Sequence, residues 1–127
     1  MGDIVIRRFD ELAWTEDGPA DADAAQRMAA AKAAGYKHKR LLAGEGDTYM
    51  NYVEMGPGFE VAAHSHDVRE VIHVLGGSLT PEGTDRELGV GDSLVVPAGA
   101  TYGFRCGSQG VRFIVMRPGD AAISYQS

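Results

Sequence analysis

Apolar and polar positions alternate in short runs over most of this chain, and glycine-rich breaks separate the runs. That texture predicts β-strands, because successive side chains of an extended strand point to opposite faces. Runs at Tyr36–Leu42 and Thr48–Met55 flank Gly44-Glu45-Gly46-Asp47, which reads as a hairpin turn. Gly56-Pro57-Gly58 is a second turn, leading into Phe59–His66. Glu70–Leu75 is a further strand, with Gly76-Gly77 predicted to turn the chain. Ser78–Thr80 and Arg86–Leu88 flank another turn at Pro81–Thr84. Ser93–Val96 runs into Pro97-Ala98-Gly99, and Thr101–Arg105 is expected to pair with Val111–Arg117 across Gly107–Gly110. Many short strands with frequent turns indicate an all-β sandwich or barrel.

The ends differ in texture. Ile4-Val5-Ile6 predicts a strand, continued loosely to Trp14. Asp21–Ala34 is rich in alanine and predicts a helix, with aspartates near its start and Gly35 as its stop. Met28 is its one large apolar residue, so a surface position is expected. Three units follow: residues 1–35 as an appended strand and helix, 36–118 as the barrel, and 119–127 as a loosely held tail.

At 127 residues the chain has room for one domain with a sizeable core. A net charge of −6 argues against a nucleic-acid partner. The one basic cluster, Lys37-His38-Lys39-Arg40, reads as the exposed side of a strand. A single cysteine excludes an internal disulfide and makes a reducing cytoplasm the default compartment. The start, MGDIVIRRFDEL, carries acidic residues and no long apolar core, so no signal peptide is expected, and no apolar run reaches membrane-spanning length.

The chemistry concentrates in Gly58–Gly77, which holds three of the four histidines. His64 and His66 share a face of an extended strand, and Glu70 has the same parity. Two imidazoles and one carboxylate on a common face suit a first-row transition metal and leave positions open for water or substrate, the arrangement of many non-haem iron enzymes. His73 has the opposite parity and is expected on the other face.

The order Gly58, His64-x-His66, Glu70, Gly77, followed by Gly91, Pro97-x-Gly99 and Tyr102, resembles the two conserved motifs of the cupin superfamily over residues 58 to about 106. The resemblance implies a single-domain cupin β-barrel or jelly roll with a metal in its mouth, held by His64, His66 and Glu70. It also implies a homodimer, in which an N-terminal strand crosses to the partner. The chain departs from the pattern at Tyr102, where most metal-binding cupins have histidine. An unperturbed phenol has a pKa of about 10, so at neutral pH Tyr102 is a proton donor. An inward Tyr102 brings Phe104 and Cys106 with it by alternation and gives the pocket an aromatic wall. Asn51 or Tyr52 is the candidate lining residue on the strand before, with the inner face undecided.

The resemblance thus implies a metal-dependent enzyme for a small, oxygen-bearing organic substrate, aromatic or polyketide-like molecules among the candidates. Iron, manganese, nickel and zinc are all compatible. A cupin dioxygenase, hence an oxidoreductase, and a Lewis-acid lyase, isomerase or cyclase are two such enzymes. A non-catalytic small-molecule-binding module is the alternative.

Overall fold

The computed structural model describes residues 2, 4–16, 21–43, 47–119 and 123–125. Among the described residues, a 3-10 turn at Phe9–Glu11 and helix α1 (Ala22–Ala33) precede seven strands. These are β1 (Lys37–Ala43), β2 (Tyr49–Met55), β3 (Glu60–His66), β4 (Glu70–Pro81), β5 (Ser93–Val96), β6 (Tyr102–Arg117) and β7 (Ile123–Tyr125). All pairings are antiparallel, and the domain is all-β apart from α1. The sheet runs β1-β2-β6-β3-β7, with β4 joined to β6 and β5.

β6 is the spine. Its C-terminal half takes β2 on one edge, from Met55↔Val111 to Tyr49↔Arg117. Its N-terminal half takes β3 instead, through Val61↔Phe104 and His64↔Tyr102. β4 follows it from Val71↔Met116 to Pro81↔Phe104. Inward positions of these strands form the core: Val53 from β2, Ile72, Val74 and Leu79 from β4, and Phe104, Cys106, Val111, Phe113 and Val115 from β6.

Two predicted turns are strand bends instead. β4 passes through Gly76-Gly77 without leaving the sheet, and β6 continues through Gly107–Gly110, so Thr101–Arg105 and Val111–Arg117 are one strand and do not pair with each other. The register shifts beside Gly76 and Gly77 absorb the bend. Gly77 (φ 67°) and Gly110 (φ 73°) adopt a backbone that L side chains rarely take, and a Cβ on Gly77 would collide with the Gly110 carbonyl. The two bends nest against each other and curl the sheet. Of the second predicted hairpin, only an isolated bridge, Leu79↔Leu88, forms.

Other elements match or depart in detail. Asp21 caps α1, its carboxylate accepting from Ala24 N–H at 2.8 Å, and Gly35 (φ 94°) ends it. Of the predicted hairpin turn at residues 44–47, residues 44–46 lie outside the described residues. The described residues of the N-terminal stretch form no strand: Ile4 and Ile6 are exposed, and Phe9–Glu11 is a 3-10 turn. Phe9 and Trp14 pack instead on Tyr52 from outside the sheet. Their rings also take Lys39, whose ammonium lies 4.0 Å from the Phe9 centroid and donates to the Phe9 carbonyl at 2.8 Å. Lys39 is therefore buried, and His38, beside the Tyr36 ring on the other face of β1, is buried too, against the expectation of an exposed basic run. Residues 123–125, predicted to lie in a loose tail, form β7 on the free edge of β3. No helix among the described residues is long and apolar enough to cross a membrane.

The nested bends give a stability test. Gly77→Ala should lower the urea midpoint further than Gly83→Ala, because both residues have positive φ but only Gly77 faces a backbone wall. The strain at either site is about 1–3 kcal/mol, and equal losses would refute the packing role assigned to Gly77.

Candidate metal centre

The site is built where β3 ends, β4 begins and β6 begins. Alternation along β3 turns His64 and His66 inward, and both are buried. β7 covers this segment's other edge, pairing His64 with Tyr125 and His66 with Ile123. Glu70 opens β4 with its carboxylate buried and inward. Tyr102 stands opposite His64 in the β3–β6 ladder, and the two ring centroids are 4.5 Å apart. The four residues expected at the centre of the site are thus brought together.

Glu70 organises the cluster. Its Oε2 lies 2.8 Å from His66 Nε2, and its Oε1 accepts from the Tyr102 hydroxyl at 3.2 Å. Burial acts to raise the Glu70 pKa, but His66, the Arg117 guanidinium and Tyr102 outweigh it, and the carboxyl lies below its usual value. His64 donates from Nδ1 to the Ala62 carbonyl at 2.7 Å, which fixes the tautomer and makes Nε2 the lone-pair nitrogen. Burial, with His66 nearby, holds the His64 pKa below the ordinary imidazole value and keeps the ring neutral.

The donor set suits a divalent metal. His66 and Glu70 approach to 2.8 Å, yet no hydrogen bond is directed at Glu70 Oε2, and His66 Nδ1 is buried without a hydrogen-bond partner. A buried polar atom left this way costs about 1–3 kcal/mol, so its presence asks for a reason. Two donors on one ion, each about 2.1 Å from it and roughly at right angles, stand about 3 Å apart. The His66–Glu70 pair has that spacing. As they stand, no three His, Cys, Asp or Glu side chains among the described residues converge closely enough to hold an ion. The pair is preset, with His64 beside it at 5.0 Å between ring centroids.

The remaining candidates separate. Phe104 stacks on Tyr102 at 6.4 Å between centroids and forms an aromatic wall, whereas Cys106 lies deeper, its Sγ 3.9 Å from Met55 Sδ. Asn51 faces inward, but Tyr52, the next residue, faces out to Phe9 and Trp14 and hydrogen-bonds Glu54, so it does not line the pocket. His73 also faces away, toward Ser93. Sequence reasoning missed Arg117. It extends the inward series Val111, Phe113, Val115 by one step, lies next to the last β4–β6 pair, Val71↔Met116, and acts on Glu70 through its charge. The Asn51 amide, oriented by its hydrogen-bond partners, accepts from Arg117 Nη2 at 3.1 Å. The signal was a charge ending an apolar alternation, legible once the inner face of β6 is known. A surface cavity of about 380 Å³ lies beside Phe104 and Arg105, between segments 60–62 and 80–84, and none of the clustered residues lines it.

Comparison with known proteins agrees with this fold. A family model described as a cupin domain matches residues 51–117, more than half of the chain, and the chain belongs to the cupin superfamily. No curated protein matches the sequence. Among solved structures, the polyketide cyclase RemF from Streptomyces resistomycificus is similar with a TM-score of 0.71 and 23% identity, over 100% of this chain and 87% of that one. KdgF from Halomonas sp. has a TM-score of 0.65 and 21% identity, over 94% of this chain and 96% of its own. The DMSP lyase DddQ from Ruegeria pomeroyi DSS-3 has 0.66 and 24%, over 91% of this chain and 61% of its own. At these identities the likeness is one of fold.

Two measurements check the site's electrostatics. Both Glu70 and His64 have depressed pKa values, so the folded state holds fewer protons than the unfolded state and stability rises with pH. The His64 contribution is complete above pH 6.5 and is lost as pH falls below it; that of Glu70 is lost below pH 4.5. The melting temperature of metal-free protein should fall in these two windows, and His64→Gln should flatten the upper one. Burial pushes the Cys106 thiol up to about 11, so native protein at neutral pH should resist iodoacetamide that labels the unfolded chain readily.

Proposed function

We propose that this chain is a metal-dependent cupin enzyme acting on a small oxygen-bearing organic molecule, by Lewis-acid lyase, isomerase or cyclase chemistry. The observation that carries the reading is the 2.8 Å approach of His66 Nε2 to Glu70 Oε2, with no hydrogen bond directed at that oxygen. His64, His66 and Glu70 would hold the divalent ion. When bound, such an ion polarises a carbonyl or similar oxygen of the substrate. Tyr102 is the proton-handling residue: its hydroxyl already donates to Glu70 Oε1, and a substrate oxygen taking that place would receive the same proton donor. Phe104 supports an apolar, flat substrate body against Tyr102.

Two structural relatives support the Lewis-acid branch over oxygenation, since one is named a polyketide cyclase and another a DMSP lyase. The exposed Ile4, Val5 and Ile6 support a homodimer in which this apolar stretch is covered by a second copy.

Elemental analysis of protein purified without chelator tests the reading. About one divalent ion per chain is expected, with affinity lowered by about tenfold or more in Glu70→Gln and His64→Ala and retained in Tyr102→Phe. Protein that takes up none of iron, manganese, nickel or zinc would leave only a binding module. Bound iron with an oxygen-dependent spectrum would favour oxygenation instead.

A further inference from the structure

Arg117 is not used by the metal-centre reading, and its surroundings are unusual for a structural ion pair. It faces inward at the end of β6, half-buried, next to the last β4–β6 pair, Val71↔Met116. Its charge acts on Glu70, yet among the described residues no ion pair within 4.0 Å joins them. One Glu70 oxygen is taken by Tyr102, and the other lies 2.8 Å from His66 Nε2. One end of the guanidinium is set by Asn51, which accepts from Nη2 at 3.1 Å, while Nε is buried with no hydrogen-bond partner. The fork is therefore held in place with donor capacity unspent.

A planar fork with an unspent N–H matches a carboxylate, which takes two parallel hydrogen bonds from it. Charge balance points the same way. A bound dication and Arg117 carry three positive charges against the single negative charge of Glu70, and a partly desolvated pocket disfavours that excess. An anionic ligand removes it.

We propose that Arg117, positioned by Asn51, anchors a carboxylate of the substrate, so that the enzyme acts on an organic acid whose other oxygen lies toward Tyr102 and the histidines. This rests on the reading of the cluster as the substrate site, and it narrows the substrate class.

The test is titration calorimetry of the metal-loaded protein with malonate, with its uncharged analogue malonamide and with inorganic phosphate, the metal content being measured in each sample. Malonate should bind more tightly than the other two. Arg117→Met should weaken malonate by about ten- to a hundredfold while malonamide changes little and metal content is kept. Arg117→Lys retains a charge opposite Glu70 and guards against a folding failure; it should still weaken malonate several-fold, because a point charge lacks the fork. Malonate binding unchanged in both variants, malonamide binding as well as malonate, or phosphate binding more tightly than malonate would each overturn the carboxylate assignment. Failure of the metal reading has a different signature: no metal in the wild type, with Arg117-dependent malonate binding intact.

Discussion

A carboxylate buried at the mouth of an apolar barrel must be compensated, and the inner surface of this protein is arranged around that requirement. Glu70 shares the inward face of β4 with Ile72 and Val74, which belong to the core. Without partners it would take up a proton, since burial disfavours the charged form. The partners come from two strands: His66 from β3, Tyr102 and Arg117 from the two ends of β6. Removing any of them disturbs a charge and not only a contact, which makes the cluster a cooperative unit.

The length of β6 makes this convergence possible. Tyr102 and Arg117 are 15 positions apart, and as separate strands of a hairpin they would stand at one end of a ladder with their neighbours paired to each other. A continuous, bent strand lets β2, β3 and β4 all pair with it and curls its two ends toward Glu70. The stacked glycine bends of β4 and β6 are thus part of the site's construction, although they lie among residues with no chemistry of their own. β7 contributes in a similar way, closing the edge of β3 at the histidines.

The outer face has its own organisation. Phe9 and Trp14 cover Tyr52, and their rings and a backbone carbonyl hold the Lys39 ammonium. This layer fastens the N-terminal segment to β1 and β2 without a β-ladder. It also decides the facing of β2: with Tyr52 committed outward, Asn51 is inward and meets Arg117.

The residues alone determined the strand-rich class, the capped helix, and the grouping of His64, His66, Glu70 and Tyr102, because alternation and motif spacing are local properties of the chain. The same alternation put Phe104 and Cys106 on the Tyr102 face. Tertiary structure decided what depends on distant partners. Gly76-Gly77 and Gly107–Gly110 read as turns because positive-φ glycine serves a turn and a bend equally well, and only the neighbouring strand distinguishes them. Asn51 and Tyr52 were equivalent until Phe9 and Trp14 claimed one face. Arg117 became a site residue only when the β4–β6 register, through Val71↔Met116, brought the end of β6 beside the start of β4, since a pairing of positions 45 residues apart is written in neither strand by itself.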